Sequence, residues 1–272
     1  YLAAKTKLFK LASRVGIINA DDPSANAFRR SVKRSISYGI KAGDWRAQDV
    51  KLDAQGSDYT AHVGDNSYHM HVNIPGEFNI YNSLAAAAVG NEVGLTKKQI
   101  EQGIAALAGV EGRMAVVDAG QAYSAIVDFA HTPDSFERLM HDVRKTTKGK
   151  LVVLFGSAGR RDEAKRAIQG EIAGKYADEV VLTEEDDRDV DGRKILSQIA
   201  AGAEKSGKQR DENLFLIADR TAAINFAVSR VSSLNDTVIF LGKGHEKTIE
   251  RADGTHPWNE IETVRQAIAK AN

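Results

Sequence analysis

The sequence predicts a two-domain α/β protein whose second domain is built on a doubly wound, mainly parallel sheet, and three observations lead there. Five apolar, β-branched runs, at 125–129, 151–155, 179–183, 214–218 and 237–241, alternate with helical patterns, and such alternation implies right-handed crossovers between parallel strands. Between about Ser35 and Ile74 the pattern instead shows short stretches of alternating polarity, such as Asp58-Tyr59-Thr60-Ala61-His62-Val63 before a Gly64-Asp65-Asn66 turn, which predicts an antiparallel β portion. Gly109 to Gly112 interrupts both patterns, so the domains are expected at 1–112 and 113–272.

Leu2, Leu8, Phe9 and Leu11 among lysines and alanines predict a helix to about Ser13. The apolar run Val15-Gly16-Ile17-Ile18 then reads as a strand, closed by the turn Asn19-Ala20-Asp21-Asp22-Pro23. After the antiparallel portion, alanine and leucine density predicts helices through 81–88 and 96–107, the second capped by Thr96. In the second domain Thr132 is placed to cap a helix with Pro133 in its first turn. Phe136, Leu139, Met140 and Val143 fall on one face of it.

The 272 residues, 42% of them apolar, suffice for two moderate cores. Lysine plus arginine and aspartate plus glutamate number 37 each, so no net field recruits nucleic acid or an anionic membrane. There are no cysteines and no apolar run long enough to span a bilayer, which removes disulfides, thiolate metal sites and membrane insertion from the expectations. The chain reads as cytoplasmic and monomeric. It opens on Tyr1 without a signal-peptide pattern, so its start looks like an excision point.

In a doubly wound sheet, ligands bind beyond the carboxyl ends of the strands. Those positions are polar here: Asp128 and His131, then Gly156 to Asp162, Glu184 to Arg188, Asp219-Arg220, and Gly242-Lys243-Gly244-His245-Glu246. Glycines let backbone approach a ligand, arginines grip carboxylates in two hydrogen bonds, and carboxylates receive ammonium groups. The edge therefore suits a zwitterionic or phosphorylated ligand. Gly156-Ser157-Ala158-Gly159 does not match the dinucleotide fingerprint, and no stretch fits a P-loop.

An ordered set of strings runs through the whole chain: Tyr1-Leu2-Ala3-Ala4-Lys5, Asn19-Ala20-Asp21-Asp22-Pro23, Pro75-Gly76-Glu77-Phe78-Asn79-Ile80-Tyr81-Asn82, Val110-Glu111-Gly112-Arg113-Met114, Asp128-Phe129-Ala130-His131-Thr132-Pro133, Gly159-Arg160-Arg161-Asp162 and Gly242 to Glu246. In this the chain resembles the Mur ligases of the tripeptide-synthetase (MurE) branch. The resemblance implies the carboxy-terminal part of the central, ATP-binding domain, incomplete and without its P-loop, followed by a Rossmann-like, amino-acid-binding carboxy-terminal domain. It implies an ATP- and Mg2+-dependent amide ligase of peptidoglycan precursor synthesis, in which ATP activates the carboxylate of UDP-N-acetylmuramoyl-L-alanyl-D-glutamate as an acyl phosphate and an amino acid displaces phosphate.

On the same resemblance, Lys5 is carbamylated and serves magnesium, and His131 lies beside the reacting groups. Asn79 and Asn82 approach the nucleotide, Arg113 reaches phosphate, and Asp128 holds the ribose. Arg161 grips the α-carboxylate of the incoming amino acid in a pocket shared by Asp186, Arg188, Gly242 and Glu246. In diaminopimelate-adding members the specificity loop reads D-N-P-R, whereas here it reads Glu185-Asp186-Asp187-Arg188. Arg188 argues for a second carboxylate, since a buried guanidinium without an anion is costly. Asp186 argues the other way if it pairs with Arg188, leaving an acidic pocket for a side-chain ammonium such as that of lysine or ornithine. The reading leans to meso-diaminopimelate.

Arg160 and the stretch Pro257-Trp258-Asn259-Glu260 depart from the family pattern. The family's UDP-binding domain and P-loop are expected upstream of Tyr1, so this chain is expected to be an inactive fragment when alone. The alternatives are a non-catalytic binding module and a related amide ligase such as a folylpolyglutamate or cyanophycin synthetase.

Overall fold

A computed structural model describes residues 2–53 and 56–271. The chain divides into two compact units, Tyr1–Ala108 and Gly109–Asn272, a few residues before the break expected after Gly112.

The first unit begins with helix α1 (Leu2–Leu11), strand β1 (Gly16–Asn19), helix α2 (Ala25–Arg29) and strand β2 (Ser35–Gly39). Strands β3 (Trp45–Leu52), β4 (Ser57–Val63) and β5 (Asn66–Val72) follow, then helices α3 (Glu77–Glu92) and α4 (Lys97–Ala105). Its sheet runs β1-β2-β3-β4-β5. Only β3 to β5 are antiparallel; β2 lies parallel to both its neighbours, against the expectation that the whole region from Ser35 was antiparallel. Alternating polarity reports which face of a strand is buried and carries no information about its direction.

Asp21 ties this corner together. Its carboxylate accepts the backbone N–H groups of Ile40, Lys41 and Ala42 at 2.8, 3.0 and 3.0 Å and the Tyr81 hydroxyl at 3.0 Å. Burial pushes its pKa up, but these donors outweigh burial and leave it below the ordinary aspartate value. The turn string Asn19 to Pro23 thus anchors the loop after β2. Helix α4 starts as its sequence predicts: Thr96 Oγ1 accepts from Gln99 N and Gln99 Oε1 accepts from Thr96 N, a reciprocal capping box.

The second unit holds strands β6 (Ala115–Val116) and β7 (Ser124–Asp128), helix α5 (Pro133–Thr146), strand β8 (Leu151–Phe155), helix α6 (Ala164–Tyr176), strand β9 (Glu179–Leu182) and helix α7 (Gly192–Lys205). Strand β10 (Leu214–Leu216), helix α8 (Arg220–Ser229), strand β11 (Thr237–Leu241), the hairpin strands β12 (Thr248–Arg251) and β13 (Gly254–Pro257), and helix α9 (Glu260–Ala271) complete it. The main sheet runs β10-β9-β8-β11-β7-β6, parallel except for β6.

The strand order steps outward from β7 through β8 and β9 to β10, then returns to β11 in the centre. Right-handed crossovers put helices on opposite faces when that direction reverses. Accordingly α5, α6 and α7 pack side by side, while α8 packs against α9. Strands β8 and β11 are buried along their whole length, as a sheet covered on both faces requires. Phe136, Leu139, Met140 and Val143 of α5 are all buried as their spacing predicts, and Phe136 meets Phe155 edge-on at 4.9 Å. A side chain so enclosed contributes about 1.5–3 kcal/mol.

Candidate active site

Because β7 to β11 are parallel, their carboxyl ends open on the same edge, and the five polar loops converge as expected. The loops are joined through backbone: Gly159 N donates to Asp186 O at 2.8 Å, and Gly242 N donates to Asp128 O at 3.2 Å. Gly242 has φ +101°, and a Cβ there would collide with the Glu185 carboxylate. Only glycine satisfies both conditions.

At the β7 end, Asp128 is buried and accepts from Met114 N at 2.8 Å and Ala130 N at 2.7 Å. Burial pushes its pKa up; those two donors and the Arg113 charge restrain the rise. Arg113 lies over the Phe129 ring at 5.1 Å, and His131 and His245 flank the same ring at 4.8 and 5.0 Å. His131 Nδ1 contacts Phe129 O at 3.0 Å. A carbonyl only accepts, so Nδ1 donates and the neutral ring keeps Nε2 as an acceptor. The His131 carbonyl in turn accepts from Lys165 Nζ at 2.9 Å, joining the β7 loop to α6.

At the other end of the edge, Asp186, Arg188, Lys243 and Glu246 come together, but not in the pairs the sequence suggested. Asp186 does not pair with Arg188. Its Oδ1 accepts from Lys243 Nζ at 2.8 Å and from Glu250 N at 2.9 Å, and the same ammonium reaches Glu246 Oε2 at 2.6 Å. Arg188, at φ +55°, donates through Nε to Glu250 Oε2 at 2.6 Å and through Nη1 to Gly159 O at 2.6 Å. The premise that Arg188 lacks an anion is therefore corrected: Glu250 supplies one. The D-G turn of residues 253–254 was the available hairpin signal, but nothing in the sequence linked that hairpin to a loop more than sixty positions earlier.

Arg161 sits in the turn after β8, exposed, with no hydrogen bond or ion pair to a described residue. Its neighbour Arg160, the residue that departs from the family pattern, is paired with Asp189. Glu185 is nine-tenths buried, and its carboxylate has no hydrogen bond to a described residue. Burial raises its pKa, against the nearby charges of Lys165, Arg220 and Lys243. Asp187 is likewise raised, chiefly by burial.

Beneath the edge, Arg220 and Glu260 form a fully buried ion pair, with Nη2 to Oε1 at 2.6 Å. Arg220 also donates to the carbonyls of Glu184 at 2.8 Å and Leu241 at 2.9 Å, and Trp258 Nε1 donates to Glu260 at 2.7 Å. Asp219 caps α8 through Ala222 N at 2.7 Å. The two strings Asp219-Arg220 and Pro257 to Glu260 thus hold the ends of β9 and β11 in place.

Asn79 and Asn82 belong to the first unit. Asn79 is buried near the start of α3, donates to Pro75 O at 2.8 Å, and accepts from Asn82 Nδ2 at 3.0 Å. Lys5 lies on the exposed surface of α1. Among the described residues no three His, Asp or Glu side chains converge into a metal site. No helix is long and apolar enough to cross a membrane among the residues described.

Residues 1–90 match the Mur ligase middle domain, and residues 112–244 match the Mur ligase, glutamate ligase domain. The chain belongs to the Mur ligase family. It is 38% identical over 263 residues to a UDP-N-acetylmuramyl-tripeptide synthetase of Roseiflexus sp. (strain RS-1), covering 94% of this chain and 51% of that protein. It is 39% identical over 252 residues to a UDP-N-acetylmuramoyl-L-alanyl-D-glutamate--2,6-diaminopimelate ligase of Syntrophomonas wolfei, covering 90% of this chain and 51% of that protein. A solved structure of another ligase of that description superposes with a TM-score of 0.67 at 28% identity, covering 99% of this chain and 56% of the other. The chain spans about half the length of the curated relatives it matches.

Proposed function

We propose that this chain supplies the amino-acid-binding part of an ATP-dependent ligase that adds the third residue to UDP-N-acetylmuramoyl-L-alanyl-D-glutamate. The observation that carries the reading is Arg161, an exposed guanidinium without a partner among the described residues, beside strand-end loops in which Arg160, Arg188, Arg220 and Lys243 are each already paired with a carboxylate. A guanidinium in that state is ready to take the α-carboxylate of a free amino acid in two hydrogen bonds. Glu185, buried and adjoining Gly242, supplies negative charge on the same edge for an ammonium group.

In the proposed reaction the substrate carboxylate takes the γ-phosphoryl of ATP and releases ADP. The amino group then attacks the acyl carbon, phosphate leaves with the bonding pair, and the ammonium proton is lost to solvent or a carboxylate. Asn79, Asn82, Arg113 and Asp128 remain the proposed nucleotide residues, with His131 beside them. Magnesium, which Lys5 as a carbamate would help to hold, would supply positive charge to the transferring phosphoryl group. The third amino acid is drawn from the class that includes meso-diaminopimelate and L-lysine.

Replacing Arg161 tests the reading. In the full translation product of the gene, Arg161→Ala is expected to raise KM for the amino acid at least about tenfold while KM for ATP stays within about twofold, since one charge-assisted contact to substrate is lost. An unchanged amino-acid KM would remove Arg161, and with it the basis of this reading.

A further inference from the structure

We propose that Glu250 is a specificity-determining residue: by occupying Arg188 it tunes the amino-acid pocket to a substrate carrying a side-chain ammonium and against one carrying a second carboxylate. This rests on the ligase reading above. Arg188 is held from three sides, with its N–H donating to Glu250 O at 3.1 Å, its Nε to Glu250 Oε2 at 2.6 Å and its Nη1 to Gly159 O at 2.6 Å.

Glu250 is itself fixed. Its backbone N–H donates to Asp186 Oδ1 at 2.9 Å, and the next residue, Arg251, makes a two-pronged contact with Glu184 at 2.8 and 2.7 Å. The β12–β13 hairpin is therefore fastened to the 184–188 loop by backbone and side chains together. Glu250 cannot leave Arg188 without breaking a charge-assisted hydrogen bond, and those are the stronger kind.

Charge balance points the same way. In this cluster the cations Arg188 and Lys243 are already engaged by three carboxylates, Asp186, Glu246 and Glu250. One negative charge is left over. Glu246 and Glu250 keep side-chain exposures of 35% and 42%, so each offers unused lone pairs to an incoming donor. An ammonium finds acceptors there at no cost to the existing pairs. A second carboxylate meets the like charge of Glu250 and must compete with it for Arg188. Asp186, committed to Lys243 and to the hairpin backbone, acts as the frame of the cluster.

The test compares kcat/KM for L-lysine and meso-diaminopimelate in the full translation product, for the native sequence, Glu250→Gln and Glu250→Ala. The native protein is expected to prefer lysine. Both variants are expected to shift the ratio toward diaminopimelate by about tenfold or more, mainly through KM, because Arg188 is released to a new anion. A ratio of two substrates in the same preparation cancels any loss of folded protein. A native preference for diaminopimelate, or a ratio unmoved in both variants, overturns the role of Glu250 and leaves the ligase reading standing. No amide product from either amino acid in the native protein overturns both.

Discussion

Glu185 is the residue at which burial and charge are most directly opposed. Its carboxylate is nine-tenths buried without a hydrogen-bond partner among the described residues, and burial lifts its pKa above the ordinary glutamate value of 4.5. A raised folded pKa means that the native state binds more proton than the unfolded chain, so stability falls as pH rises. The contribution is complete below the unfolded value and is lost as pH climbs through the folded one. Glu185→Gln is therefore expected to match the native sequence in melting temperature near pH 4.5 and to exceed it by a few degrees at neutral pH. A difference independent of pH would show that Glu185 carries no such linkage. At this scale the sequence anticipated which side chains gather better than how they pair: Asp186, Arg188 and Glu246 do cluster, but Lys243 and Glu250 decide the pairing. Which of two carboxylates an arginine selects is a question of tertiary distance.

Among the elements, the Arg220–Glu260 pair sets how the α8 and α9 starts meet the strand ends. Both side chains are fully buried. Glu260→Leu leaves the Arg220 guanidinium without its anion and is expected to cost about 3–5 kcal/mol in chemical denaturation, whereas pairing it with Arg220→Met is expected to recover much of that loss. A double replacement no better than the single one would show that the carbonyl contacts of Arg220, and not its charge, carry the stability. Helix α5 was legible because a Thr-Pro start and a four-residue apolar face coincide in one segment. Strands β8 and β11 were legible to the residue because their density of β-branched and apolar residues, ending at Gly156 and Gly242, marks a buried parallel strand. The direction of β2, the two-residue β6 and the β12–β13 hairpin were not. A short exposed strand has too few alternations to read, and pairing direction is fixed by the partner strand.

For the whole molecule, equal numbers of acidic and basic residues leave no net field, and the second unit gathers local clusters of charge at the carboxyl edge of its parallel sheet. The ordered strings from Tyr1 to Glu246 carried the family resemblance, and the two matched domains, at residues 1–90 and 112–244, follow one another in that order. What composition and periodicity could not supply was the identity of the third amino acid, because that rests on which charges remain unsatisfied once the loops are folded together. We propose that this edge serves a carboxylate-activating amide ligase. Its most direct test is transfer of oxygen-18 from the labelled side-chain carboxylate of UDP-N-acetylmuramoyl-L-alanyl-D-glutamate during turnover by the full translation product with ATP and amino acid. One labelled oxygen in inorganic phosphate is expected for each amide formed, since the acyl phosphate breaks at its acyl carbon; amide formation with unlabelled phosphate, or ADP release without amide, would rule out this chemistry.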